Sequence, residues 1–312
     1  MLISEYLSLA ASSLFSAGIE SARLEAEILL ATATGVTRER LIATADRSLN
    51  GEEVRRAGEL LALRATRYPL QYITGRVEFL DEEFLVRPGV FVPRPETEFL
   101  VLEAEKLLAA PTAPPPLIVD VGTGTGVIAV SLAVRSRRAR LHAIDVSPKA
   151  LELARANAER HGVAGRISFH LCRVVGSDCG GRGDAEGFSG AERGRDVDSF
   201  FGMDRSILGE GVDMIVSNPP YVPSEEIAGL SPEISRFEPR EALDGGPGGL
   251  KYVRLLVQQS LSLLRPGGWL LLEIGAGQAR SASEAALGVG YAEVRTTKDF
   301  AGIERVLKAR KL

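Results

Sequence analysis

The stretch LIVDVGTGTGVIAVSLA, residues 117–133, limits most strongly what this chain of 312 residues can fold into. An apolar run ends at an acid, a glycine-rich turn follows, and a second apolar run has helical spacing, which together predict a strand, a tight turn and a helix. The same plan returns in residues 140–162, where a strand ends at Asp145 and a helix begins at Pro148. Strands that alternate with helices in this way predict an α/β fold with a doubly wound, mainly parallel sheet.

Two later segments extend the predicted sheet. VDMIVSNPPY (212–221) and WLLLEIG (269–275) predict buried strands, and the amphipathic stretch between them, residues 250–268, predicts a helix. We therefore assign residues 111–312 to one Rossmann-like sheet domain. A chain of this length corresponds to about two domains, so a second, smaller domain is expected before the sheet.

Residues 1–75 predict that smaller domain. Their apolar residues recur at helical spacing, as at Leu24, Ile28 and Leu29, and no strand-like alternation is present. Gly18, Gly35 and the pair Asn50-Gly51 interrupt the pattern, which indicates a bundle of short helices. The bundle carries no evident chemistry of its own, and we interpret it as a structural or substrate-recognition module.

Two segments lie outside these regular patterns. Residues 76–110 connect the domains: alternating apolar residues on either side of Asp81-Glu82 predict a β-hairpin, and Pro95 with the acids after it predicts the start of a helix. Residues 173–211 are rich in glycine and mixed charges and lack periodicity, so we interpret them as a flexible insertion.

The composition argues against several classes of protein, namely nucleic-acid-binding, disulfide-rich, metal-binding and membrane-spanning proteins. A net charge of −4 argues against a surface that neutralises many phosphates, so no stable nucleic-acid partner is expected, although a local basic patch stays open. Two cysteines and three scattered histidines lack metal-ligand spacing, so we expect neither a disulfide framework nor a metal site. No apolar run approaches the ~18 residues of a membrane span, and no signal-like start is present, which predicts a cytoplasmic protein.

The turn DVGTGTG, residues 120–126, has the character of a cofactor site. Glycines lack the Cβ that would keep a cofactor away from the backbone. Asp145, at the end of the next strand, is placed to accept two hydrogen bonds from a ribose diol. A carboxylate at Asp120 suits a cationic sulfonium or amino group and is awkward beside a pyrophosphate. The turn therefore resembles that of class I S-adenosylmethionine-dependent methyltransferases more than that of nicotinamide enzymes.

The second notable stretch is Asn218-Pro219-Pro220-Tyr221, which follows the predicted strand directly. Ligands of doubly wound sheets bind at the carboxyl ends of the strands, so Asn218 is expected to face the methyl donor. The two prolines fix φ and hold the turn rigid, which leaves backbone carbonyls without donors from the chain. Tyr221 supplies a flat face against which a planar group can lie.

This turn suits a planar amino group attached to a π system. The two N–H groups can donate to the Asn218 side-chain oxygen and the Pro219 carbonyl, while the plane packs against Tyr221. An amide nitrogen is a poor nucleophile because its lone pair is delocalised into the carbonyl. Oriented acceptors raise the electron density on that nitrogen and align it with the S–CH3 bond, so positioning does most of the catalysis. No general base is evident, and the turn alone does not separate a glutamine amide from adenine N6.

The chain as a whole resembles the HemK/PrmC methyltransferases, which methylate the glutamine of the Gly-Gly-Gln motif in class I peptide chain release factors. The resemblance covers nearly the whole chain outside residues 173–211. NPPY also occurs in amino-group DNA methyltransferases, so the specific feature is its combination with PRPETE and the helical N-terminal region. The matching stretches, in order, are PLQYITGRVEF, PGVFVPRPETE, DVGTGTGVIAVSLA, IDVSPKALELARANAERHG, IVSNPPYVP, EPREALDGGPGGL and LRPGGWLLLEIGAGQ.

The resemblance implies S-adenosyl-L-methionine as methyl donor, S-adenosyl-L-homocysteine as product, no metal, and a monomer that meets a much larger release factor. The residues that it implies for the donor site are Asp120, Gly122, Thr123, Gly124, Thr125, Gly126, Asp145 and Asn218. Those implied in catalysis are Asn218, Pro219 and Tyr221, and those implied in substrate binding are Asn218, Pro219, Pro220, Tyr221, Arg94 and Glu96. A helix-start role for Glu96 explains that residue nearly as well.

The chain departs from the family where the adenine contact is expected. In the family, an acid followed by an aromatic residue comes soon after the third strand, here residues 167–172, and the insertion obscures it. Asp178 is one candidate, and Asp198 with Phe200 is the other. We assign the contact to Asp198 and Phe200, because the spacing to NPPY is then closer to that of the family.

Other functions stay open from the sequence. The same chemistry could act on a glutamine of a ribosomal protein, or on adenine N6 of nucleic acid, which would need a basic and aromatic recognition region. A noncatalytic module that keeps the donor fold is a further alternative. The intact glycine turn, Asp145 and Asn218 argue against it.

Overall fold

The computed structural model describes residues 1–108, 114–172 and 211–312, together with the backbone of residues 199–200 and 203–204. The chain divides into two compact units. The helical unit comprises Met1–Val77, Val86–Gly89 and Gly229–Glu238, and the sheet unit comprises Glu78–Leu85, Val90–Ala228 and Pro239–Leu312. Nothing in the sequence pattern indicated that Gly229–Glu238, which follows the NPPY turn, belongs with the N-terminal helices.

The elements alternate between helix and strand from residue 117 onward. The described helices are α1 (Ile3–Ser16), α2 (Ala22–Thr34), α3 (Arg38–Ala43), α4 (Gly51–Ala65), α5 (Leu70–Thr74), α6 (Thr97–Leu108), α7 (Val127–Arg135), α8 (Pro148–Arg160), α9 (Pro232–Phe237), α10 (Lys251–Leu263) and α11 (Ala279–Val289). The described strands are β1 (Arg76–Phe79), β2 (Glu82–Leu85), β3 (Leu117–Val121), β4 (Arg140–Asp145), β5 (Ile167–Leu171), β6 (Ser199–Phe200), β7 (Met203–Asp204), β8 (Val212–Ser217), β9 (Leu264–Glu273), β10 (Glu293–Lys298) and β11 (Glu304–Arg310). Among the described residues, no helix has the length and apolar character needed to cross a membrane.

The helical unit is built from amphipathic helices, as the periodicity indicates. In α1, Ile3, Leu7 and Leu14 recur at helical spacing and are fully buried in one cluster with residues of α2 and α3. The predicted interruptions mark helix ends: α2 stops at Gly35, whose φ is 71°, and Asn50 caps α4. The Asn50 side chain accepts from the Glu53 N–H at 2.9 Å, which satisfies a donor that the first helical turn leaves unpaired.

Buried charges hold the segment Gly229–Glu238 within the helical unit. Arg64, whose side chain is 5% exposed, pairs with Glu25 of α2 at 2.5 Å and with Glu233 of α9 at 2.9 Å. Arg67 adds a bidentate contact to Glu233 at 2.6 and 2.8 Å. Each buried charge in this network has an opposite charge and hydrogen bonds, which such groups need because removing them from water is costly.

The predicted hairpin is formed by β1 and β2. Its two-residue turn consists of Leu80 and Asp81, whose φ angles of 51° and 66° are both positive. Two positive φ angles are the signature of the turn whose twist matches that of paired strands. Phe79 and Phe84 on either side are buried and meet edge to face at 6.0 Å, which anchors the hairpin in the sheet unit.

The main sheet confirms the predicted α/β fold. Its seven strands run in the order β10-β11-β9-β8-β3-β4-β5, and β9, β8, β3, β4 and β5 are mutually parallel, whereas β11 is antiparallel to both β9 and β10. The chain runs outward from β3 through β4 to β5 and then returns to β8 on the other side of β3. This reversal places a ligand crevice at the carboxyl ends of β3 and β8.

The boundary between α10 and β9 lies earlier in the chain than the sequence predicts. The helix expected over residues 250–268 ends at Leu263, and β9 begins at Leu264 rather than at Trp269. The register between β8 and β9 shifts near the start of β9, because Val212 pairs with Leu264 whereas Met214 pairs with Trp269. Arg265 forms an ion pair with Asp213 within this shift. Leu263 and Leu264 continue the apolar pattern across the junction, so periodicity alone does not reveal that the helix ends between them.

Candidate active site

The two predicted turns lie side by side in the sheet unit. Strand β3 leads into the glycine turn and β8 leads into NPPY, and these strands are paired with Asp120 opposite Val216. The Ser217 hydroxyl donates to the Val121 carbonyl at 2.6 Å and so joins the two strand ends. The structure therefore brings the predicted donor and acceptor residues to one crevice.

The glycine turn leaves part of its backbone open. Gly122 and Gly124 have φ angles of 73° and 56°, and a Cβ added to either would meet nothing within 4 Å. Gly126 differs, because a Cβ there would lie 2.9 Å from the Ala154 Cβ. Two glycines thus leave room for a ligand at the backbone, whereas Gly126 lets α7 pack against α8. Thr123 and Thr125, between the glycines, are buried.

Asp120 is fully buried beneath the turn, with 0% exposure. Its Oδ2 accepts from the Thr123 hydroxyl at 2.7 Å and from the Ala129 N–H at 3.2 Å. Its Oδ1 is buried without a hydrogen-bond partner among the described residues. Burial raises the pKa of Asp120 to about 7, the Asp145 charge adds to the rise, and the two hydrogen bonds oppose it. A cationic group beside Oδ1 would favour the ionised carboxylate.

Asp145 reaches the glycine turn from the end of β4. Its Oδ2 accepts from the Gly124 N–H and its Oδ1 from the Ser147 N–H, both at 2.8 Å. Burial raises the pKa of Asp145, while these backbone hydrogen bonds act in the opposite direction. The contacts fix the orientation of the carboxylate, and each oxygen keeps a lone pair that can accept from a ribose hydroxyl.

The NPPY side chains are tied to two residues that the sequence analysis did not single out. Asn218 Nδ2 donates to Thr97 Oγ1 at 2.9 Å, and the Tyr221 hydroxyl donates to Glu273 Oε1 at 3.0 Å. Burial, and then the Glu273 charge, hold the pKa of Tyr221 well above its usual range, so the phenol keeps its proton. The sequence signal that could have identified Glu273 is that it is a single acid within the apolar run WLLLEIG.

A glycine-rich loop after α9 supports the NPPY turn from behind. Val222 N–H donates to the Leu243 carbonyl at 3.0 Å, and Gly245 N–H donates to the Val222 carbonyl at 2.8 Å. Gln278 Nε2 donates to the Tyr221 carbonyl at 2.9 Å. These bonds fix the backbone of the turn, so residues 243–249 and Gln278 help to build the site. Before the structure was known, their only signal was their place in the family motifs EPREALDGGPGGL and LRPGGWLLLEIGAGQ.

The two residues expected at the entrance, Arg94 and Glu96, lie in the turn just before α6. The Arg94 guanidinium stacks over the Phe91 ring at 4.6 Å, and its carbonyl accepts from the Thr97 N–H at 3.1 Å. The Glu96 carboxylate lies close enough to NPPY that, after burial, its charge contributes to raising the pKa of Tyr221 and of Glu273. Glu96 therefore borders the site, and its contact with a substrate stays a prediction.

The expected adenine contact lies outside the described residues. Asp178 and Asp198 are not among them, and of Phe200 only the backbone is described, as part of the pair β6–β7. The assignment of Asp198 and Phe200 therefore stays a prediction. In the described ranges, no group of three or more histidine, cysteine, aspartate and glutamate side chains is arranged to hold a metal ion.

Comparison with known proteins gives a consistent result over both units. Residues 5–75 match the model of the PrmC N-terminal domain, and residues 117–176 match that of a methyltransferase domain. The chain is 40% identical to the release factor glutamine methyltransferase of Geobacter sulfurreducens, covering 94% of this chain and 91% of the relative. It is 38% identical to the protein of the same name from Moorella thermoacetica, covering 99% and 98%.

A solved structure of a similarly named protein also matches the chain. It is the protein-(glutamine-N5) methyltransferase (release factor-specific) of Alicyclobacillus acidocaldarius, which is 26% identical to this chain. The match covers 73% of this chain and 99% of the other, with a TM-score of 0.38. The family assignment therefore rests on the sequence relatives.

Proposed function

The chain belongs to the release factor glutamine methyltransferase family, and we propose that it carries out the reaction for which its relatives are named. It transfers a methyl group from S-adenosyl-L-methionine to the side-chain amide nitrogen, N5, of the glutamine in the Gly-Gly-Gln motif of class I peptide chain release factors. The observation that carries this proposal is the pairing of β3 with β8, which sets an open glycine turn beside the Asn218–Tyr221 turn.

S-adenosyl-L-methionine suits the donor side of the crevice on two observations. The backbone at Gly122 and Gly124 has the open space that a Cβ would fill, and the buried Asp120 Oδ1 lacks a partner among the described residues. Asp145 would hold the ribose hydroxyls, and Asp120 would lie toward the positively charged part of the donor. The donor, when bound, supplies a methyl group on a positively charged sulfur.

In this proposal the site positions the acceptor amide, and no general base activates it. The Asn218 side-chain oxygen and the Pro219 carbonyl would each accept one of its N–H groups, while Pro220 keeps the turn rigid. The Tyr221 ring provides a packing face, and its high pKa excludes the phenolate as a base near neutral pH. Catalysis then comes from alignment of the amide nitrogen with the methyl group. The N–CH3 bond would form as the S–CH3 bond breaks, S-adenosyl-L-homocysteine would leave, and one N–H proton would pass to solvent after the transfer.

The choice of substrate rests on the relatives and on the helical unit. Both curated relatives described above carry release factor glutamine methyltransferase as their name, which does not favour a ribosomal protein or adenine N6 as the acceptor. Residues 5–75, which match the PrmC N-terminal domain, are proposed to recognise the release factor outside Gly-Gly-Gln. A monomeric state, the lack of a stable nucleic-acid partner and a cytoplasmic location are further parts of this proposal.

A transfer assay with labelled S-adenosyl-L-methionine tests the proposal. The purified protein should label a class I release factor, and should not label the same release factor after its Gly-Gly-Gln glutamine is replaced by alanine. Ribosomal proteins and adenine-containing DNA, supplied at the same concentration, should stay unlabelled. Labelling of either of these without labelling of the release factor would reject the proposed substrate.

Asp145→Ala is expected to weaken binding of S-adenosyl-L-methionine by about 10²-fold, because hydrogen bonds to a charged group contribute about 1.5–3 kcal/mol each. Isothermal titration calorimetry measures this change in Kd. The exposed Glu159 on α8 offers a matched control, and Glu159→Ala should leave Kd unchanged. Equal affinities of the Asp145→Ala variant and the unmodified protein would remove Asp145 from the donor site.

A further inference from the structure

A buried carboxylate connects the two functional side chains of the NPPY turn. Glu273, at the end of β9, has 0% exposure and accepts from the Tyr221 hydroxyl at 3.0 Å. Burial raises the pKa of Glu273 to about 7, the nearby Thr97 hydroxyl opposes this rise, and Glu273 Oε2 has no hydrogen-bond partner among the described residues. Thr97 accepts from Asn218 Nδ2 at 2.9 Å. Asn218, Thr97, Glu273 and Tyr221 thus form a path of polar side chains, with a hydrogen bond at each end and the Thr97 hydroxyl beside the Glu273 carboxylate in the middle.

The position of Glu273 needs an explanation, because a carboxylate inside an apolar strand is costly to bury without an ion pair. Arg305 is a cation whose charge acts on it, but the Arg305 guanidinium is paired with Asp299 at 3.1 Å. The Glu96 charge repels it. Among the described residues, the hydrogen bond from Tyr221 and the nearby Thr97 hydroxyl compensate for its burial. A hydrophobic residue at this position would cost less, which points to a role beyond packing.

The direction of the Asn218–Thr97 hydrogen bond determines what the rest of the path can do. Asn218 Nδ2 donates to the Thr97 oxygen, so the single hydrogen of the Thr97 hydroxyl is left for another acceptor. Glu273 Oε2, which has no partner among the described residues, belongs to the neighbouring carboxylate, and a Thr97 hydroxyl turned toward it can only accept from Asn218. The amide nitrogen of Asn218 must then point toward Thr97, and its carbonyl oxygen Oδ1 points away from Thr97.

We infer that Thr97 and Glu273 are positioning residues for methyl transfer, which together orient Asn218 so that Oδ1 is presented to the acceptor amide. This inference rests on the proposed function, since it concerns the same residues, Asn218 to Tyr221, that are proposed to hold the acceptor amide. Without this constraint, the Asn218 amide is free to rotate by half a turn and to present its NH2 group, which repels the N–H groups of a glutamine amide. Glu273 also fixes the Tyr221 ring by direct contact.

Two substitutions at Thr97 separate orientation from packing. Thr97→Val keeps the branched shape but removes the hydroxyl, whereas Thr97→Ser keeps the hydroxyl and removes a methyl group. We expect Thr97→Val to lower kcat by about 10²-fold, the scale of a small misplacement of reacting groups, with KM for S-adenosyl-L-methionine unchanged. Thr97→Ser should restore kcat to nearly that of the unmodified protein. A role in packing alone would give the opposite order.

Glu273→Gln provides the second test, because it keeps size and shape but adds an NH2 donor to the path. One of its two partners then loses its acceptor, so kcat should fall while thermal unfolding stays close to that of the unmodified protein. Because Thr97 and Glu273 act through one path, the double variant Thr97→Val with Glu273→Gln should lose no more than the worse single variant. Losses that multiply would show that the two residues act independently and would overturn the inference.

The side-chain amide signals of Asn218 give a measurement that does not depend on the substrate. In a ¹⁵N-labelled sample, they are expected to be sharp in the unmodified protein and in Thr97→Ser, and to shift and broaden in Thr97→Val. Identical Asn218 signals in Thr97→Val and Thr97→Ser would overturn the inference. If the unmodified protein failed to methylate a release factor, the proposed substrate would be rejected, while these spectra would still decide whether Thr97 orients Asn218.

Discussion

Replacing Asn218 by alanine is expected to lower kcat for release factor methylation by about 10³-fold, while the fold is retained. The side chain would supply one of the two acceptors that hold the amide nitrogen in line with the methyl group. Asn218 is only partly buried and, among the described residues, bonds to a single side chain, that of Thr97, so its removal leaves the sheet unit intact. Single-turnover kinetics measure the loss.

Asn218→Gln refines this experiment. Glutamine keeps the amide chemistry but moves it outward by one methylene group, so positioning alone is disturbed. We expect a loss of about 10²-fold, because a displacement near 1 Å is enough to misalign the reacting groups. Circular dichroism and thermal unfolding should show an unchanged fold in both variants, and saturating S-adenosyl-L-methionine separates the loss of turnover from any loss of donor affinity. Turnover of Asn218→Ala near that of the unmodified protein would contradict the proposal that Asn218 holds the acceptor amide.

The second large effect is expected at Gly249, which packs against the back of the NPPY turn. Its φ is 73°, and a Cβ there would overlap the Tyr221 carbonyl oxygen and lie 2.5 Å from Gln278 Nε2. Gln278 donates to that same carbonyl, so Gly249→Ala must displace both Tyr221 and the residue that holds it. We expect turnover to fall by more than about 10²-fold and stability to fall by about 1–3 kcal/mol.

The neighbouring Gly248 offers a matched control. It has a similar φ of 65°, but a Cβ there would meet nothing within 4 Å. Gly248→Ala therefore introduces the same backbone strain, about 1–2 kcal/mol, without the overlap. The difference in kcat between the two variants isolates the effect of displacing the NPPY turn. Equal turnover in both variants would show that the loop does not position Tyr221.

Much of the sheet unit follows from local sequence patterns. The alternation of apolar strands and helices predicts the parallel sheet, and the strand ending at Asp145 and the helix starting at Pro148 agree with the structure. The hairpin prediction is confirmed, although its turn uses Leu80 and Asp81 rather than glycine at positive φ. These features depend on residues close in sequence, which is why pattern analysis captures them.

The features that escaped prediction depend on contacts between residues far apart in sequence. The segment Gly229–Glu238 belongs to the helical unit because Arg64 and Arg67 pair with Glu233. Neither the charges nor their spacing in the chain reveal such partners. Glu273 was missed for a related reason, since periodicity predicts that its strand is buried but not which hydrogen-bond donors surround one polar side chain.

The structure adds detail to the predicted position of Asp120 beside the glycine turn. The sequence placed a carboxylate beside the glycine turn and suggested that it faces a cation. In the structure, one of its oxygens is used within the turn, by Thr123 and Ala129, and the other is buried without a partner among the described residues. Part of its role is thus to build the turn, and only Oδ1 is available to a ligand.

Locating the methyl group on the release factor tests the central claim most directly. The protein is incubated with a class I release factor and S-adenosyl-L-methionine, and the Gly-Gly-Gln peptide is sequenced by tandem mass spectrometry. We expect one added methyl group on the glutamine side chain of that motif, and about 10³-fold slower formation of it when the Asn218→Ala variant is used. A methyl group found on another residue, or an unmodified release factor beside methylated ribosomal protein or DNA, would contradict the assignment.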